Sequence, residues 1–161
     1  MNFDELILKT AFCCMACDGN IAEEEVDFVR RLSGQFSSLP IEDVEHLLKN
    51  WIEEINQKGL AFLKSYIAEV KSERLSSSRE LSLVEVAFKT IEADNRIEYA
   101  EVKFFKKIRR VLSLSDEEIL TKYPDKEDFL LPDIVEDDSF LDSMSYHFDE
   151  IKIIQNDNND L

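Results

Sequence analysis

Glycine and proline are scarce, with three of each in 161 residues. That scarcity argues against a β-rich fold, whose many tight turns need both. No stretch approaches the roughly 20 consecutive apolar residues that span a bilayer, so direct membrane insertion is not expected. Asp4 and Glu5 stand where a secretory signal would carry positive charge, and the expected location is the cytoplasm. Basic charge is short as well: 19 Lys and Arg against 35 Asp and Glu leave a net charge of −16. Such a surface repels phosphate backbones, so nucleic acid is not an expected partner, whereas cations and basic protein surfaces are. Cysteine is confined to Cys13, Cys14 and Cys17, an odd cluster that matches no disulfide framework. No glycine-rich phosphate loop, nucleophile elbow or histidine-bearing zinc motif occurs, and no enzymatic activity is expected.

What is present is helical periodicity. Apolar residues make up 44% of the chain, enough for a real core. Phe3, Leu6, Ile7, Ala11, Cys14 and Met15 recur at helical spacing, and beyond Phe12 the segment is apolar nearly all round, so this first helix should be central. Asp18-Gly19 ends it. A second helix is expected from near Ala22, with Val26, Val29 and Leu32 inward, and Pro40 opens a third over 41–57. Gly59 separates this from a fourth helix marked by Leu60, Leu63, Ile67 and Val70. Ser76, Ser77 and Ser78 read as a polar connector before a fifth helix over 80–93. A sixth is expected over 98–112, and Ser115 caps a short seventh that ends near Tyr123. Beyond Pro124 the period is lost. The predicted fold is therefore an all-α bundle of about seven helices over residues 1–123, followed by an acidic tail over 124–161.

An internal repeat gives this bundle its organisation. A shift of 76 residues carries Asp18-Gly19-Asn20-Ile21 onto Asp94-Asn95-Arg96-Ile97, and Glu25, Val26 and Phe28 onto Glu101, Val102 and Phe104. Upstream, Ala11-Phe12 falls on Ala87-Phe88. Two pseudo-symmetric halves are expected, about 3–57 and 79–123, with the fourth helix as connector. In each, Asp ends a helix, Gly or Asn turns the chain, Ile enters the core, and Glu falls in the first turn of the next helix.

Two readings of these carboxylates stay open. Facing halves would bring Asp18, Glu25, Asp94 and Glu101 together, and four converging carboxylates call for a hard divalent cation, Ca²⁺ or Mg²⁺. Alternatively they are helix caps: a Glu at the third helical position reaches back to the N-cap amide, and Asp before Gly is ordinary turn chemistry. An EF-hand is excluded. Its first and third ligand positions would be Cys14 and Ala16 in one copy, and Thr90 and Glu92 in the other.

At these residues the chain resembles the TerB-like family, the tellurite-resistance TerB proteins and related helical domains. The resemblance is carried by ACDGNIAEEEVDFVRRL and EADNRIEYAEVKFFKKI and covers about residues 3–123. It implies a bundle of two related halves, a divalent-metal site at Asp18, Glu25, Asp94 and Glu101, and a place in bacterial stress responses to tellurite and other toxic agents. Protein partners are implied too, membrane-associated and calcium-binding ones among them. Asn95 stands where the family usually has glycine.

Two further features carry expectations. Cys14 and Cys17 have the spacing of a redox pair, but that motif works at a helix start beside a strand; at the end of an apolar helix they read as small buried apolar residues. Lys103, Lys106, Lys107 and Arg110 share one face of the sixth helix, the concentrated basic patch of an acidic chain. It is expected to be a solvated face or to dock acidic residues such as those at 133–138.

Overall fold

The computed structural model describes residues 2–93, 97 and 99–131. Eight helices and no strand occur among them: α1 Phe3–Ala16, α2 Glu23–Phe36, α3 Ile41–Lys58, α4 Leu60–Ser72, α5 Ser77–Ile91, α6 Tyr99–Val111, α7 Asp116–Lys122 and α8 Glu127–Leu130. None is long and apolar enough to cross a membrane.

The all-round apolar sequence of α1 makes it the centre of the bundle. Every residue from Leu6 to Ala16 is buried, because α5, α2, α4 and α6 all pack against this helix. Its polar residues need partners there, since a buried polar group without one costs free energy. Lys9 Nζ therefore donates to both carboxylate oxygens of Glu69 on α4 at 3.0 and 3.1 Å and sits 5.0 Å above the Phe62 ring. Thr10 donates to the Leu6 carbonyl at 2.8 Å and lies 2.5 Å from the buried Tyr66 hydroxyl. Aromatic contacts close both sides. Phe12 packs on Trp51 and Phe62, and Phe88 on Phe105, Tyr123 and Phe129.

The helix starts follow capping chemistry. Asn2, Ser76 and Ser115 each accept an amide hydrogen bond, from Glu5, Arg79 and Glu118 respectively. The serine run is thus a helix beginning and not a connector, because Ser76 caps and Ser77 and Ser78 already lie in α5. Gly59 joins α3 directly to α4 with φ 56° and ψ −127°, a conformation that favours glycine.

The structure differs from expectation at two further points. An eighth helix follows Pro124: four residues suffice because Phe129 inserts against Phe88 and Phe105, with ring centroids 5.2 and 5.9 Å apart. Too short to show a helical period, α8 is held by this aromatic packing rather than by local propensity. The second isoleucine of the repeat also departs. Ile21 is 1% exposed, whereas Ile97 is 51% exposed and does not enter the core.

The 76-residue offset nevertheless carries a tertiary contact from one half to the other. Asp4 accepts from the Ser38 amide at 3.3 Å and its hydroxyl at 2.9 Å, tying α1 to the α2–α3 connection. Glu80 accepts from the Ser113 amide at 2.8 and 3.0 Å and from the Leu114 amide at 3.1 Å, tying α5 to the α6–α7 connection.

Candidate functional site

The first acidic turn is built by its own backbone. Gly19, with φ 90°, turns the chain out of α1, and the Gly19 amide donates to the Ala16 carbonyl at 2.9 Å. Asp18 Oδ1 accepts from the Asn20 amide at 2.9 Å, the side-chain turn that Asp favours. Ile21 then anchors the turn in the core. Ala22 caps α2, and Glu25 Oε1 reaches back to accept from the Ala22 amide at 3.0 Å. This is half of a capping box, as Ala22 has no side-chain oxygen to complete it. Glu25 stands in the first turn of α2, where anions are favoured.

The second half brings Glu101 to the same place. It lies in the first turn of α6 and is buried, at 8% exposure. Asp18, Glu25 and Glu101 all line one pocket of about 220 Å³, together with Met15, Glu24, Phe28, Arg31, Thr90 and Ala93. Among the described lining residues four carry carboxylates, Asp18, Glu24, Glu25 and Glu101, and Arg31 carries a guanidinium. Asp94 lies outside the described residues, so three of the four expected acidic residues are placed and these three share the pocket. Among the described residues, no three His, Cys, Asp or Glu side chains are gathered closely enough to hold a metal ion.

The buried thiols of Cys14 and Cys17 feel the charges of these carboxylates. Burial pushes Cys14 up from the ordinary thiol range, and the nearby charge of Glu101 adds to it. Cys17 is raised first by burial, then by Cys14, Asp18 and Glu101, with a smaller contribution from Cys13. All three cysteines are free and buried, and Cys17 donates to the Cys14 carbonyl at 3.2 Å. Protonated thiols are poor nucleophiles and poor metal ligands. The donors that line the pocket are therefore carboxylate oxygens, the type hard cations prefer.

Sequence reasoning missed Glu24, Phe28 and Arg31 as lining residues. The signal was available, since positions i, i+4 and i+7 share one helix face, and that face begins at the first acidic turn. The Arg31 guanidinium lies 5.8 Å from the Phe28 ring centroid, so the aromatic wall of the pocket already carries a cation. Thr90 was missed too, although the 76-residue offset pairs it with Cys14.

Fold and pocket together define an all-α domain that gathers carboxylates from two helix pairs at one concave surface. The family model described as tellurite resistance protein TerB matches residues 8–122, and the chain belongs to the TerB family. Neither a curated protein nor a solved structure matches it.

Proposed function

We infer that this TerB-family chain is a cytoplasmic, non-enzymatic stress-response module of the tellurite-resistance type. In this reading it takes a divalent cation, Ca²⁺ or Mg²⁺, at Asp18, Glu25 and Glu101 with Asp94, and acts through protein partners, membrane-associated ones among them. The observation that supports it is the shared pocket, in which Asp18 and Glu25 of one half meet Glu101 of the other. Carboxylate oxygens brought to one pocket from separate helix pairs are the donor type that a hard divalent cation takes. The reading includes two related halves, whose acidic turns would each supply half of the ligand set.

The test is thermal unfolding of metal-stripped protein with and without each cation, for the natural chain and for Asp18→Asn and Glu101→Gln. A ligand at 100 times its Kd adds about 2.7 kcal/mol to the native state. A raised midpoint in the natural chain that both variants lose is the expected result; no shift with any cation would overturn it.

The second reading makes the acidic motifs helix caps on an interaction module without metal. The Glu25–Ala22 and Asp18–Asn20 hydrogen bonds favour it, because each carboxylate already has a backbone amide partner. Under that reading Asp18→Asn and Glu25→Gln lower stability by roughly 1 kcal/mol whatever the cation.

A further inference from the structure

We propose that the outer face of α6 is the docking surface for the acidic segment of this same chain at 133–138. The inference does not depend on the cation reading. Its first support is the placement of charge on α6. Glu101, Phe104, Phe105 and Ile108 are buried, and at 100° per residue Lys103, Lys106, Lys107 and Arg110 centre on the opposite side. Arg110 is exposed and the three lysines are half-buried. Tyr99, 68% exposed, belongs to the same face, and Lys103 Nζ lies 4.4 Å from its ring centroid. The face is thus a row of four cations with an aromatic ring at its N-terminal end.

The second support is where the described chain stops. Phe129 of α8 packs on Phe105, on the buried side of α6, at 5.9 Å between centroids, so the chain reaches Leu131 close to that helix. Residues 132–161, outside the described residues, hold nine acidic residues against Lys152, a net charge of −8. Four of the nine, Asp133, Glu136, Asp137 and Asp138, fall within seven residues of Leu131. Seven extended residues span up to about 24 Å, and the 13 residues of α6 are about 20 Å long. Part of that length is taken up in passing from the Phe105 side round to the basic face, so Asp133 stays near Leu131 while Glu136, Asp137 and Asp138 reach the part of the face nearest to it.

That short tether selects the occupant. A segment joined by so few residues is present at an effective concentration in the millimolar range, well above that of an acidic protein binding in trans. Apolar Ile134 and Val135 lie among the acids and suit the exposed rings and side chains of Tyr99 and Ile97. Each exposed ion pair is weak alone, so the contact depends on several charges acting together and is sensitive to salt.

Zero-length carbodiimide cross-linking of the full chain, read by mass spectrometry, tests this directly. Amide bonds from Lys103, Lys106 or Lys107 to Asp133, Glu136, Asp137 or Asp138 are expected in the monomer fraction. Their yield should fall at least threefold from about 0.1 M to about 1 M salt, as the screening length shrinks from about 10 to 3 Å. Absence of these links, or their presence in covalent dimers alone, would overturn the proposal, the second outcome pointing to another copy as the occupant. Hydrogen exchange supplies an independent readout. Amides at 133–138 should exchange several-fold faster in the K103E/K106E/K107E/R110E variant, whose changes lie away from the core; unchanged rates would also overturn it.

Discussion

α1 and α5 occupy corresponding places under the 76-residue offset, yet the two helices live in different surroundings. Cys13 and Cys17 are buried, whereas at the corresponding positions Lys89 of α5 and Ala93, two residues past its end, are exposed. The cause is α4, which has no counterpart under the offset among the described residues. It packs on α1, where Glu69, Tyr66 and Phe62 meet Lys9, Thr10 and Phe12. A connecting helix has made one of two similar helices the centre of the bundle. Its residues suit that place: thiols and small apolar residues stand in α1 where the offset finds Lys89 in α5. The same contrast separates the two clasps. Asp4 is half-buried and grips exposed Ser38, while Glu80 is 4% exposed and holds two successive backbone amides. Corresponding positions preserve the contact and differ in its energetic weight.

The largest expected consequence is alkaline sensitivity centred on the first half. Burial pushes Cys13, Cys14 and Cys17 well above the ordinary thiol range. A thiol raised by folding costs nothing below its unfolded pKa of about 8.5. Above that value the unfolded chain ionises and the native one does not, so stability falls as pH rises. Each fully buried thiol then removes about 2 kcal/mol at pH 10 relative to neutral pH. Three together remove about 6 kcal/mol, comparable with the whole stability of a small domain. Tyr66 is raised by burial as well, and Tyr123 is pushed up to about 12 by burial and then by the charge of Glu85, so further loss is expected above about pH 10. Urea unfolding across pH 7–10 is the check. The variant Cys13→Ala/Cys14→Thr/Cys17→Ala should flatten the curve; an equally steep fall there would place the sensitivity elsewhere.

The clasps predict a smaller, sharper difference. Glu80→Ala removes a buried carboxylate and leaves the Ser113 and Leu114 amides without their acceptor, at about 3 kcal/mol. Asp4→Ala removes a contact that water replaces, at about 0.5 kcal/mol. Unfolding of both variants at neutral pH measures the ratio. Equal costs would mean that burial does not set the weight of this contact.

Much of the architecture was legible because it rests on local signals. The apolar run of α1, the cap at Ser115, and the break at Gly59 each act within a few residues. The acidic pocket was legible in part, since the repeat pointed to Asp18, Glu25 and Glu101 before any geometry was known. What stayed hidden depends on contacts across the bundle. Four residues of α8 carry no period, and Phe129 orders them only by finding Phe88 and Phe105. The serine run was misread because a cap and a flexible connector use the same residues, and only the Arg79 amide bonded to Ser76 distinguishes them. Ile97 followed the motif and not the core, because identity of sequence does not ensure identity of packing. The clasps were missed since a carboxylate on an amphipathic helix reads as solvent-facing until the connection folds back over it.

The smallest expected effect asks how far the two copies remain interchangeable. Cys14 and Thr90 correspond under the offset, and both are buried. Thr90 satisfies its hydroxyl locally by donating to the Val86 carbonyl at 2.8 Å, four residues back along its own helix. Cys14→Thr offers the same solution, because the Thr10 carbonyl stands four residues back on α1 and a threonine hydroxyl readily bonds there. A threonine is close to cysteine in size, so neither a large cavity nor gross overpacking is expected. The cost should stay within about 1 kcal/mol, against the 1–3 kcal/mol typical of overpacking, for which Cys14→Leu is the reference. Urea midpoints of the two variants measured side by side provide the comparison. A cost above about 3 kcal/mol for Cys14→Thr would show that α4 has changed the surroundings of this position too, extending to Cys14 the divergence already visible at Cys13 and Cys17.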